Sequence, residues 1–227
     1  MTGSSSREKR GLLDAASCGS DLRRALASGS IFADRIHETA APVDEFVDAA
    51  FARLRGSPVF DRLFVSLTRA AEFSLLWHGL AALSAYSRER PAADWLRSAL
   101  LIGAESVVVN GLVKSVFRRA RPALDSRYED KIRIPLTSSF PSGHSSAAFF
   151  AATVLSDGSA SAAAWYGLAA AVAASRVYVG IHHASDVVAG AFLGTALGRV
   201  ARRFWPRQTS RRPTTGSRSL PLRRLVH

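Results

Sequence analysis

Beyond Pro58 the chain is organised as five Ala-, Leu- and Val-rich segments separated by short polar stretches: Leu63 to Tyr86, Trp95 to Val116, Ser145 to Leu155, Ala160 to Val179 and Val187 to Phe204. No other feature constrains the fold as much. The segments are too long for strands, and most approach the ~20 mostly apolar residues that cross a bilayer core. The pattern predicts an all-α fold, a polytopic transmembrane bundle of about five to six helices. Small residues crowd the segments, as in Gly190-Ala191-Phe192-Leu193-Gly194, which suits close helix packing in lipid. Trp77, Trp95, Trp165 and Trp205 lie within or at the ends of segments, and the terminal ones suit interfacial anchors.

The flanks divide the chain into three parts: an N-terminal region 1–57, the helical domain 58–205 and a tail 206–227. Met1 to Arg10 is Ser-rich and charged and reads as disordered. After Pro42, the residues Val43, Phe46, Val47, Ala50, Phe51 and Leu54 recur at helical spacing. They predict an N-terminal amphipathic helix, either docked on the bundle or lying in the membrane interface. No apolar signal core follows Met1, so internal spans are expected to place any outward-facing part. From Arg199 to His227 there are nine arginines and no acidic residue, and Pro206, Pro213 and Pro221 argue against regular structure. By the positive-inside rule this tail is cytoplasmic. The linker Ser87 to Asp94 then shares its side, and the loops after the second and fourth segments face outward together. The expected location is the cell (inner) membrane, multi-pass, with outward-facing chemistry.

The formal net charge of +12 asks for an anionic partner: a nucleic acid, a membrane surface or a phosphorylated substrate. No aromatic–basic interleaving supports a nucleic acid. Membrane lipids are the expected neighbours of the tail, and no obligate protein partner is predicted. Cys18 is the single cysteine, so the sequence offers no disulfide framework and no Cys-based metal site.

Three motifs lie at the predicted outward ends. Lys114-Ser-Val-Phe-Arg-Arg-Ala-Arg121-Pro122 closes the second segment. On a helix Lys114, Arg118 and Arg121 share one face, and Pro122 disfavours helical geometry at Arg121, placing it at the helix mouth. Positive-inside bias disfavours such a cluster on the outer side, and a binding site for an anion explains it. Ser138-Ser139-Phe140-Pro141-Ser142-Gly143-His144 opens the third segment. Ser and Pro there supply helix caps, Gly143 lets the backbone approach a ligand, and free N–H groups at a helix start attract an anion. His144 stands one turn in. The third motif, Ser175-Arg176 to His182-His183-Ala-Ser-Asp186, joins the last two segments. Asp186 lies four residues after His182, so its carboxylate can fix the imidazole tautomer and leave the other ring nitrogen with a free lone pair. His183 points to a different face and reads as a bystander or supporting group. No second carboxylate or Cys stands at metal-ligand spacing.

In order and spacing these motifs resemble the type 2 phosphatidic acid phosphatase superfamily, whose pattern is K-x6-R-P, P-S-G-H and S-R-x5-H-x3-D. The resemblance covers roughly Pro58 to Trp205. It implies a metal-independent phosphatase with no cofactor, acting on a lipid-linked phosphate substrate. His182 would be the nucleophile, oriented by Asp186, and would form a phospho-histidine. His144 would be the acid and then the base. Lys114, Arg121, Arg176, Ser142 and Gly143 would hold the phosphate oxygens. Arg118 and Arg119 are not motif positions and read as headgroup contacts or flanks. Ala-rich spans and the stretch Ser175 to Gly190 are most similar to actinobacterial members, some of which act on polyprenyl-linked sugar phosphates of cell-wall synthesis.

Phosphatidic acid, phosphatidylglycerol phosphate, a polyprenyl pyrophosphate and a polyprenyl-phosphoryl sugar phosphate all stay open as substrates. A haloperoxidase of the same superfamily would be larger and soluble. A non-catalytic anionic-lipid-binding protein would lack the nucleophile or the acid. Glu105 and Asn110 inside the second segment read as interhelix contacts, and the loop Ala123 to Leu136 as a polar cap over the headgroup site.

Overall fold

The computed structural model describes Arg35 and residues 38–86, 91–157 and 161–207. The serine-rich start, Cys18 and the arginine tail beyond Arg207 lie outside these residues. The described residues are helical, with no strand among them. Helix α1 covers 38–52. It is followed by α2 (Pro58–Ala70), a 3₁₀ turn at Glu72–Ser74 and α3 (Leu75–Tyr86). Next come α4 (Pro91–Val107), a π-helical turn (Val108–Val113) and α5 (Lys114–Val116), which together form a single 26-residue rod. The set closes with α6 (Gly143–Leu155), α7 (Ala162–Tyr178) and α8 (Ala184–Phe204).

The first apolar segment is not one helix. Phe73 and Ser74 adopt φ of 50° and 59°, a left-handed backbone unfavourable to residues with a Cβ, and break it into α2 and α3. Among the described residues, only the Pro91–Val116 rod is both long and apolar enough to cross a membrane by itself. Its π turn sets the register of two buried charges. Glu105 and Lys114 are nine residues apart, which at about 100° per residue would put them on opposite faces of an α-helix. The wider turn absorbs about one residue, and both side chains are buried, at 4% and 6% exposure.

Helices α6 and α8 make the tightest seam. On α8, Gly190, Gly194 and Gly198 recur every fourth residue and face α6. A Cβ at Gly194 would collide with the Ser146 carbonyl oxygen, one at Gly190 with that of Ser142, and one at Gly198 would come within 2.7 Å of Thr153 Cβ. Backbone meets backbone, as small residues allow between helices. Around this seam Trp77, Ile102, Phe150, Val154, Leu155 and Val172 form the main core. Trp77 is therefore a core residue, whereas Trp95 and Trp205 stay 43% and 44% exposed.

A second, aromatic cluster gathers Tyr128, Tyr178, Phe51, Phe60 and Phe64. Here α1 joins the bundle through Phe51, with Leu54 just past its end, while Val43 and Phe46 remain exposed. The buried residue of α1 is a charged one, Asp44. Across the far end, Arg97 donates to the Trp205 carbonyl at the end of α8, and Arg202 pairs with Asp157 at 2.6 Å.

Candidate active site

The three motifs meet at one end of the bundle, where the rod ends, α6 begins, and α7 hands over to α8. The rod stops earlier than the Lys114-to-Arg121 spacing predicts: Phe117 is extended, with φ −103° and ψ 130°, so Arg118 to Arg121 do not continue its helical face. Arg121 nonetheless reaches the site by an extended path. Its guanidinium donates to the carbonyls of Ile181 (2.8 Å), Thr137 (3.0 Å) and Ser138 (3.3 Å), and lies 3.2 Å from His182 Nε2. Lys114 is buried and its ammonium donates to Thr137 Oγ1 at 3.4 Å.

His182 is 1% exposed. Its Nδ1 faces Asp186 at 3.6 Å and Ser139 Oγ at 3.4 Å, which leaves Nε2 turned toward Arg121. Burial pushes the imidazole well below its ordinary value, to about 3, against the opposing pull of Asp186, so the ring is neutral, with its Nε2 lone pair facing Arg121. Asp186 is held from several directions. It accepts from Ser139 Oγ at 2.6 Å, from the His183 backbone at 3.0 Å and from Arg119 at 2.5 Å. His183 is thereby the N-cap of α8 and shares a capping box with Asp186.

Arg119, read from the sequence as a headgroup contact or flank, is a buried strut. Its side chain is 3% exposed and bridges Asp186 on α8 to Asp44 on α1 at 2.9 Å. Asp44 also accepts from the Ser185 backbone at 2.8 Å and the Ser185 hydroxyl at 2.7 Å. Neither Asp44 nor this role of Arg119 carries a motif signal. The only hint in the sequence is an acidic residue at helical register beside Val43 and Val47.

Ser142 caps α6: its backbone N–H donates to the Asp186 carbonyl at 3.0 Å, and its hydroxyl accepts from Ser145. Gly143 comes next, where a Cβ would collide with Asn110 Oδ1. Glu105 accepts from Ser146 Oγ at 2.5 Å, so it links the rod to α6 as an interhelix contact. His144 lies within electrostatic reach of Arg176, His182, Lys114 and Arg121. Arg176 itself is fully buried, and none of its three guanidinium nitrogens has a hydrogen-bond partner among the described residues. Burying an unpaired guanidinium is costly, and an anion accepting from it would offset that cost. No three His, Cys, Asp or Glu side chains gather as a metal site among the described residues.

The loop expected to cap the site divides in two. Tyr128 is fully buried in the aromatic cluster against Tyr178 and donates to Asp61 at 2.6 Å. Arg133 to Thr137 instead border a cleft of about 720 Å³ that reaches His144, Gly143, Asn110 and Glu72.

Two buried cations, Lys114 and Arg176, and the half-buried Arg121 gather about two histidines, one backed by a carboxylate, an arrangement that can hold an anion. The model of the PAP2 superfamily matches residues 94–210, and the chain belongs to that superfamily. Among its relatives, it is 32% identical over 150 residues to the decaprenylphosphoryl-5-phosphoribose phosphatase of Mycolicibacterium smegmatis, across 65% of this chain and 80% of that one. It is 34% identical over 123 residues to a protein of Arabidopsis thaliana named "Probable lipid phosphate phosphatase beta". That match covers 41% of this chain and 58% of the plant protein, less than two thirds of its length. The fold is similar to that of a transmembrane PAP2-type phosphatidylglycerolphosphate phosphatase from Bacillus subtilis, with a TM-score of 0.61 and 25% identity over 77% of this chain and 90% of that one. It is also similar to Aquifex aeolicus LpxE, with a TM-score of 0.56 and 27% identity over 72% and 94% of the two chains.

Proposed function

We propose that the chain is an integral-membrane phosphatase that removes a terminal phosphate from a lipid-linked substrate through a phospho-histidine. The observation that carries this reading is Arg176, buried without a hydrogen-bond partner among the described residues and beside two histidines. His182 Nε2 attacks phosphorus in line, and the bond to the leaving oxygen breaks with its electron pair going to that oxygen. His144 donates the proton that the leaving oxygen takes up. In the second step His144 takes a proton from water, the water oxygen bonds to phosphorus, and the P–N bond breaks with its electrons returning to Nε2. Arg121, Arg176 and Lys114 hold the non-bridging oxygens and supply the charge stabilisation that phosphoryl transfer mainly needs. Asp186 holds the Nδ1 proton of His182 and steadies the ring as it becomes cationic.

For the substrate, the Mycolicibacterium smegmatis relative favours a polyprenyl-phosphoryl sugar phosphate; phosphatidylglycerol phosphate, favoured by the Bacillus neighbour, is the alternative. The arginine-rich tail favours a cytoplasmic C-terminus, which puts the opposite end of α8, and with it the site, on the outer face. The test is phosphate release from a panel of lipid phosphates in detergent with EDTA present throughout, comparing wild type with His182→Ala. Release that survives EDTA and disappears in the variant is the expected result. Release that EDTA abolishes would overturn the metal-free mechanism, and undiminished release by His182→Ala would overturn the nucleophile.

A further inference from the structure

Glu72 belongs to no motif, yet it faces the residue assigned as the acid. It sits at the break between α2 and α3, and its Oε1 lies 3.8 Å from His144 Nε2. That oxygen is buried and has no hydrogen-bond partner among the described residues. Its charge also acts on Arg176. The backbone just after it is strained: Phe73 and Ser74 both have positive φ without being glycine. Strain of this kind, worth about 1–3 kcal/mol per residue, persists where the surroundings demand it and clusters at functional sites. Here it turns a carboxylate into the cleft that His144, Asn110, Ser74 and Arg133 line. In the phosphoryl transfer, His182 and His144 act on opposite sides of phosphorus, so the group that leaves occupies this cleft.

We infer that Glu72 selects the leaving group: it favours phosphomonoesters whose leaving oxygen belongs to an uncharged, hydroxylated sugar or glycerol unit and rejects diphosphates, whose leaving oxygen belongs to a charged phosphate. This rests on the phosphatase reading above and narrows it. Two effects act in the same direction. An alkoxide is a poor leaving group and needs a proton from His144, whose Nε2 has the Glu72 carboxylate 3.8 Å away to orient the ring. A departing phosphate needs little acid help, but brings negative charge to the His144 side of the cleft, where Glu72 is the carboxylate; Lys114 and Arg133 line the same cleft, so the repulsion is local to Glu72. A sugar or glycerol hydroxyl in the same place meets hydrogen-bonding partners in Glu72, Ser74 and Asn110.

The experiment compares kcat/KM in detergent for three probes: phosphatidylglycerol phosphate, a polyprenyl-phosphoryl pentose phosphate and farnesyl diphosphate. Wild type, Glu72→Gln and Glu72→Asp are each measured. Wild type should prefer at least one monoester over the diphosphate. Glu72→Gln should lose activity on that monoester and gain on the diphosphate, changing their ratio by about 10-fold, the effect of removing one like charge at close range. Glu72→Asp, which keeps the charge, should retain the wild-type order. A damaged fold lowers both activities together and leaves the ratio alone, so an unchanged ratio in Glu72→Gln overturns the inference. A wild-type preference for farnesyl diphosphate overturns it as well, while leaving the phosphatase reading intact. Silence of the wild type on all three probes overturns that reading and this inference with it.

Discussion

Replacing Arg119 by Gln removes a side chain that is 3% exposed and leaves two carboxylates, Asp44 at 5% and Asp186 at 0%, facing each other without their shared cation. Breaking a buried ion pair by deleting one partner costs about 3–5 kcal/mol, because the remaining charge is neither paired nor hydrated. In a chain of this size each kcal/mol moves the melting temperature by about 2–4 °C, so a drop of about 6–20 °C is expected. Activity should fall further than folding alone explains. Asp186 loses its 2.5 Å contact with the guanidinium, and a displacement of a catalytic group by about 1 Å costs roughly 100-fold. The assay is a thermal melt in detergent together with kcat/KM, for Arg119→Gln, Asp44→Asn and the double variant. Asp44→Asn removes one of the two stranded charges, so the double variant should be more stable than the sum of the single losses implies, by about 1–3 kcal/mol. Strict additivity, or a melting temperature for Arg119→Gln within about 2 °C of wild type, would refute the strut.

The geometry sets three more outcomes. Arg176→Lys keeps the charge but loses the planar fork, and kcat should fall about 100- to 1000-fold in phosphate-release assays with little change in melting temperature. Gly194→Ala forces a methyl group against the Ser146 carbonyl; it should cost about 1–3 kcal/mol in a detergent melt and lower activity, because the seam holds Ser142 against the Asp186 backbone. His182 is held down to about 3, whereas an unfolded imidazole titrates near ~6.5. Between those values the unfolded chain binds the additional proton, so this contribution to stability is full above about pH 6.5 and is lost as pH falls, by up to about 1.4 kcal/mol per unit. Melting curves of His182→Asn should therefore show a shallower acid slope than wild type, and equal slopes would refute the neutral buried ring.

The grouping of His182, Asp186 and His144 is legible because its spacing is local: Asp186 is one helical turn from His182, and the Ser142-Gly143-His144 run is a helix start. Helical periodicity beyond Pro58 likewise marks the segments that contain α2 to α8. What escaped the sequence was held by long-range contacts. Arg119 meets Asp44 across 75 residues and Asp186 across 67, and no periodicity couples such positions. The extended path after Val116 also could not be read from a spacing that fits a helix equally well. The break at Glu72 was hidden because Phe73, Leu75 and Leu76 continue an apolar run; the strain appears only in the backbone angles.

The π turn in the rod has a genetic consequence. A π turn is an α-helix with one residue too many, so a deletion of a single codon between Val108 and Val113 would let the rod relax to ordinary helix with Lys114 still facing the site. The same deletion a turn earlier or later, in regular helix, would rotate everything beyond it by about 100° and turn the lysine away. One short stretch of the rod is thus tolerant of length change while the helix on either side is not, and the tolerance runs toward loss of a residue rather than gain.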